Sequence, residues 1–143
     1  MELTASERAL IVLLRVVGAL TAAALVAVVL PSDWMAGVHR WLGLGEFPEQ
    51  PSAEYLARSL SLFYAVLGVL LWRLSSDVRR FAPLIGFLAR SGLVVGAVLL
   101  AVDVLAGLPV WWIVSEAVSW FGISGAVLLL RWKQPSSSPP ERP

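Results

Sequence analysis

The sequence predicts an all-α, polytopic membrane protein: a four-transmembrane-helix bundle with a short interfacial helix in the first loop between spans. Three observations carry that expectation. Of 143 residues, 58% are hydrophobic and only 15% charged, and mean hydropathy is +0.79. A soluble domain has about 45–50% apolar and about 25% charged residues, so too little polar surface remains to coat a water-soluble globule of this size. Four segments also reach the roughly 20 apolar residues needed to cross the hydrocarbon core. Finally, a capping box at Thr4–Glu7, Pro31 and the Gly107-Leu108-Pro109 turn fall at the ends of those segments.

The first span covers residues 9–30 and is interrupted only by Arg15. Thr4-Ala5-Ser6-Glu7 precedes it as a capping box, in which hydroxyl and carboxylate each satisfy one free backbone N–H. Pro31 follows its end. The apolar run exceeds the roughly 7–15 residues of a signal-peptide core, so the span is expected to be retained. Next, Trp34, Val38, Trp41 and Leu42 recur at helical spacing, with Asp33, His39 and Arg40 on other faces. Ser32 or Asp33 can cap this stretch and Gly43 or Gly45 can end it, giving a short helix over 33–44. It either lies in the membrane interface or packs as a lid on the bundle. Residues 46–52 read as a turn.

The second span, 53–74, contains Arg58. The third, 81–105, contains Arg90 and ends near Asp103; Pro83 in its first turns is a candidate kink. The fourth, 109–130, opens on Pro109 and contains Glu116. Residues 1–133 form one transmembrane domain, and the Ser- and Pro-rich segment 134–143 is expected to be a disordered tail. Close helix approach is signalled by Gly92-x-x-x-Gly96, Gly18-x-x-x-Ala22, Gly122 and Gly125, within one chain or between chains.

Orientation follows from basic residues near the span ends. Nine of the 11 (Arg8, Arg15, Arg73, Arg79, Arg80, Arg90, Arg131, Lys133 and Arg142) fall on the side that holds both termini, and only Arg40 and Arg58 on the other. Both termini are therefore expected in the cytoplasm. Arg dominates over Lys, and Ala, Val and Leu are abundant, which suggests a bacterial protein of the inner (plasma) membrane. Of the seven tryptophans, Trp34, Trp41, Trp111 and Trp112 fall at the outer interface and Trp72 and Trp132 at the inner one, where indoles anchor helices.

The absence of cysteine excludes disulfides and thiolate chemistry, and His39 alone cannot form a paired-histidine metal or haem site. Net charge +1 gives no reason to expect a nucleic-acid partner. No nucleophile–base set or phosphate-binding loop is present, so no enzyme and no cofactor is expected. The expected partners are membrane lipids, other membrane subunits or further copies of the chain.

Ionisable groups inside spans are candidates for function. Arg58 and Glu116 enter from the same side to similar depth, with Asp103 close by, so these three form a candidate outer charged cluster. Arg58 is expected to pair with Glu116; Glu54, four residues earlier on the same helix, is the rival partner. Trp112 and Trp120 flank Glu116 at minus four and plus four, with Ser119 on the same stripe. A carboxylate between indoles either closes a structural ion pair or holds an organic cation. Arg15 and Arg90 are candidate contacts for lipid phosphates, or independent side chains reaching the interface. Two functional readings follow: an accessory or structural subunit of a membrane complex, or a small-molecule or lipid carrier using the outer charged pocket around Glu116.

The layout resembles the DoxX-like group of small bacterial four-span proteins over about residues 9–131. The shared features are Tyr55 and Arg58 opening the second helix, the short basic turn Arg79-Arg80, Arg90 early in the third helix, and the tight Gly107-Leu108-Pro109 turn leading to Glu116. The resemblance implies a four-helix bundle of the inner membrane, in some cases linked to quinone-side redox systems. It assigns no catalytic residue.

Overall fold

A computed structural model describes residues 2–133, which contain six helices and no strand. The tail expected over 134–143 lies outside the described residues. Helix α1 spans Ala5–Ala22, α2 Leu25–Val29, α3 Ser32–Trp41, α4 Pro51–Leu74, α5 Ala82–Ala106 and α6 Val110–Trp132. Four units are long and apolar enough to cross a membrane: α1 with α2, α4, α5 and α6.

The capping box forms as its sequence requires. Thr4 Oγ accepts the Glu7 N–H at 3.2 Å, and the Glu7 carboxylate accepts the Thr4 N–H at 2.7 Å. Glu7 also receives the guanidinium of Arg79 through both oxygens, one bond measuring 2.8 Å. Arg79 belongs to the turn between α4 and α5, and a further N–H reaches the carbonyl of Glu2 at 3.0 Å. The Glu7 carboxylate makes Arg79 hold its proton more firmly than a free guanidinium does. Part of the basic turn is thus tied to the start of α1.

The expected first span is not one helix. After Ala22 the backbone tightens: Ala24 N–H bonds to Thr21, Val26 to Ala23 and Ala27 to Ala24, at 3.0–3.2 Å. These i to i−3 bonds make a short 3₁₀-like turn. The turn adjoins the point where α4 presses hardest on α1, at Gly68, whose missing Cβ would collide with the backbone N of Ala22.

Helix α3 stops at Trp41, and Leu42 caps it; Gly43 and Gly45 then take left-handed φ of 71° and 87°. This is shorter than the expected 33–44, because Gly43 reverses the chain two residues after the last helical position. Trp34, Val38 and Trp41 form an unpartnered exposed stripe, with Trp41 83% accessible. Leu42 turns toward the bundle. Prolines start the long helices where a missing N–H costs no bond: Pro51 opens α4 and Pro83 lies in the first turn of α5. The kink expected at Pro83 therefore has no internal hydrogen bond to break.

The helices pack laterally in the order α4–α1–α6–α5, with α2 laid against α4. Helices α4 and α5, though consecutive in sequence, are not among the closely packed pairs. The apolar core sits at one end only. Leu10, Leu14, Leu74, Val78, Ile85, Ala89 and Val127 are buried there, and the Val78 side chain comes from the α4–α5 turn. We refer to this end, which also carries Arg79 and Lys133, as the basic end.

Glycines set the two tightest crossings. A Cβ on Gly18 would lie 2.8 Å from the Gly68 carbonyl, so α1 and α4 touch backbone to backbone. On α5, a Cβ at Gly96 would lie 2.7 Å from Trp120 Cβ, and one at Gly92 would strike Ser124 Oγ. The Gly18 and Gly92/Gly96 signals are therefore contacts within the chain. Gly122 and Gly125 have nothing within 4 Å of where a Cβ would stand.

Candidate functional site

The core residues Leu14, Leu74, Ile85, Ala89 and Val127 also face a space left among the four long helices. Between them lies a cavity of about 560 Å³, lined by all four long helices. Its walls run from Trp111 to Val127 on α6, about 24 Å along the axis at roughly 1.5 Å per residue. Leu42, just after α3, covers the far end. The walls are mostly Leu, Val, Ile and Trp side chains; the polar groups are Thr21, Tyr64, four serines and Glu116. No basic side chain lines it.

The close α5–α6 crossing aims one stripe of α6 into this space. With Gly92 and Gly96 beneath Ser124 and Trp120, the positions Trp112, Glu116 and Trp120 line the cavity together. Trp112 Nε1 donates to Glu116 Oε2 at 3.0 Å. The expectation of Trp112 as a purely interfacial anchor is thereby corrected: its N–H is held by a carboxylate inside the bundle. Trp111 keeps a more exposed position and meets Trp112 edge-on at 5.5 Å. Ser115 and Ser119 return their hydroxyls to the helix carbonyls of Trp112 and Ser115, at 2.9 and 2.7 Å.

Asp103 stands beside Glu116, close enough for the two carboxyls to interact directly. Only 5% of Asp103 is accessible, and its Oδ2 has no hydrogen-bond partner. Two members of the expected cluster, Asp103 and Glu116, thus come together.

The third member does not join them. The expected Arg58–Glu116 pair is absent; Arg58 bonds Glu54 at 2.6 and 2.9 Å. Its remaining N–H groups reach the carbonyls of Val28 and Leu30, the latter at 2.9 Å. The reason is the break after Ala22. It sets α2 against α4 so that its unpaired terminal carbonyls face Arg58, and a cation is favourable at a helix C-terminus. One carboxylate and two carbonyls take four of the five N–H groups of Arg58.

Arg15 and Arg90 are both exposed on the outside of the bundle. Arg15 Nε donates to Ser75 Oγ at 3.4 Å, and Arg90 makes no side-chain hydrogen bond among the described residues. Neither touches the cavity. Tyr64 was not singled out from the sequence, although a phenol in mid-span is a signal in itself, because a buried hydroxyl seeks a partner. Among the described residues no group of three His, Cys, Asp or Glu side chains is placed to hold a metal ion.

The site is therefore an apolar intramembrane cavity with one hydrogen-bonded carboxylate on its wall and a second, unsatisfied one behind it. No family model matches the sequence, no curated protein matches it, and no solved structure matches it.

Proposed function

We propose that this chain is a small-molecule or lipid carrier that holds its ligand in the cavity around Glu116. One observation supports this reading above the others: a void of about 560 Å³ that reaches a carboxylate with no basic partner. Its mostly apolar walls make bulk water a poor occupant. The volume also falls within the range of small-molecule pockets, about 300–1,000 Å³.

In this proposal the basic end lies in the cytoplasm of a bacterial inner membrane and α3 rests in the outer interface. The unpacked α4–α5 side gives a membrane-dissolved ligand a lateral way in. Native purification in mild detergent, followed by mass spectrometry of bound small molecules and lipids, tests the reading. A specific molecule should accompany the wild type and be lost from Ser119→Phe, which fills the cavity beside Glu116. Recovery of the same lipids from both proteins would overturn it.

An accessory-subunit role is the second reading, favoured by Gly122 and Gly125. Their open surface on α6 leaves room for another helix to approach closely. Cross-linking between copies or to a partner through cysteines placed at these positions tests it; a cross-link-free monomer in native membranes would remove it.

A further inference from the structure

We infer that the ligand class is a lipophilic organic cation, recognised by Glu116 between Trp112 and Trp120, with Asp103 as the second charge. The inference rests on the cavity reading above and adds the charge and chemistry of the occupant.

Two acidic side chains meet inside the bundle, and the geometry supplies no base for them. Glu116 faces the cavity and receives one hydrogen bond, from Trp112 Nε1 at 3.0 Å. Asp103 is 5% accessible, and its Oδ2 receives none. The basic side chain expected at this depth, Arg58, is held by Glu54, Val28 and Leu30. A buried charge without a counter-charge is costly in a low-dielectric interior, and a proton or a bound cation removes that cost.

The chemistry of the walls narrows the class. An anionic headgroup would face two carboxyls and no base. A hydrated divalent ion needs six or more oxygen ligands, or several waters of its own, and the walls are mostly hydrocarbon. A neutral lipid would fill the volume but leave Glu116 without a counter-charge. A cation whose charge sits on an apolar body answers both the carboxylate and the volume. Its positive centre lies by Glu116, the Trp112 and Trp120 side chains lie one turn away on either side, and its hydrocarbon lies against the Leu and Val walls. Indoles are the strongest cation–π partners among the side chains.

The test uses the full chain in lipid nanodiscs and three probes. Tetraphenylphosphonium is the cation, tetraphenylborate an anion of the same shape, and 1-aminoanthracene a neutral reporter of the cavity. Wild-type protein should bind aminoanthracene saturably, and tetraphenylphosphonium should displace it while tetraphenylborate does not. Glu116→Gln should weaken the cation about 10- to 30-fold, the scale of one lost charge-assisted contact, and weaken aminoanthracene far less. Asp103→Asn should weaken the cation by a smaller factor. Glu116→Asp, which keeps the charge, should retain most of the affinity, and this separates lost charge from lost packing.

If the borate competes as well as the phosphonium, or if Glu116→Gln and wild type bind the phosphonium equally, the cation inference is overturned and the cavity reading survives. If aminoanthracene binds wild type and Ser119→Phe alike, the cavity is not the binding site, and both fall.

Discussion

Replacing Gly68 by Ala tests whether α1 and α4 meet backbone to backbone. A Cβ at this position would lie 2.5 Å from the Gly18 carbonyl oxygen and 2.8 Å from Ala22 Cα. With the Ala22 backbone N nearer still, every obstacle is backbone and cannot rotate away, so the helices must separate by about 0.6–1.0 Å to reach ordinary contact. A gap of that size forfeits about a quarter to a half of each dispersion contact across the crossing. Overpacking of a tight core typically costs about 1–3 kcal/mol, and an obstacle that is entirely backbone places this case near 2–3 kcal/mol. That corresponds to a shift of about 30- to 150-fold in the unfolding equilibrium. Gly125→Ala is the matched control: it adds the same methyl where nothing lies within 4 Å and should be neutral or slightly stabilising, by up to about 1 kcal/mol. Unfolding in mixed micelles of rising denaturing-detergent fraction, followed by the fluorescence of the tryptophans, reads both variants. Equal midpoints for Gly68→Ala and Gly125→Ala would refute the backbone crossing.

Arg58→Lys should lower the melting temperature and expose the 42–50 segment to protease, because one ammonium cannot serve Glu54, Val28 and Leu30 together; a wild-type cleavage pattern would count against that role. Glu7→Gln and Arg79→Gln should each destabilise the protein in thermal melts, and the double variant should be less damaged than the two effects added; simple additivity would mean that the pair carries no coupling. Trp34→Ala with Trp41→Ala should weaken association of a synthetic residue 30–46 peptide with vesicles, since the exposed stripe is the apolar face that enters the interface. A reporter fused after Lys133 should be active only as a cytoplasmic reporter; periplasmic activity would invert the proposed orientation.

What could be read from the sequence was set by local rules. Span length and hydropathy follow from the bilayer thickness, and the observed helices begin and end within a few residues of the expected limits. The Thr4–Glu7 box, Pro109 at the start of α6 and the tight turn at Gly107 before it are likewise properties of a few adjacent residues, whereas Pro51, read as part of a turn, opens α4. So was the stripe Trp112–Glu116–Trp120, because helical periodicity alone puts positions four apart on one face. Depth in the membrane is another such property, since it counts residues from a span end.

Which residues meet across helices was decided by the tertiary structure. Matched depth suggested that Arg58 faces Glu116, but depth says nothing about rotation around a helix axis or about which helices are neighbours. The lateral order α4–α1–α6–α5 puts α1 between them, and the break after Ala22 turns the end of α2 toward Arg58. The cavity has the same origin. Apolar content tells how much surface prefers to leave water, while whether four apolar helices close on one another or hold a space depends on where the side chains are small. Here Gly18 and Gly68 close one pair and Gly92 and Gly96 close the other. The space left among the helices runs from the core residues of the basic end to Glu116, with Asp103 beside that carboxylate.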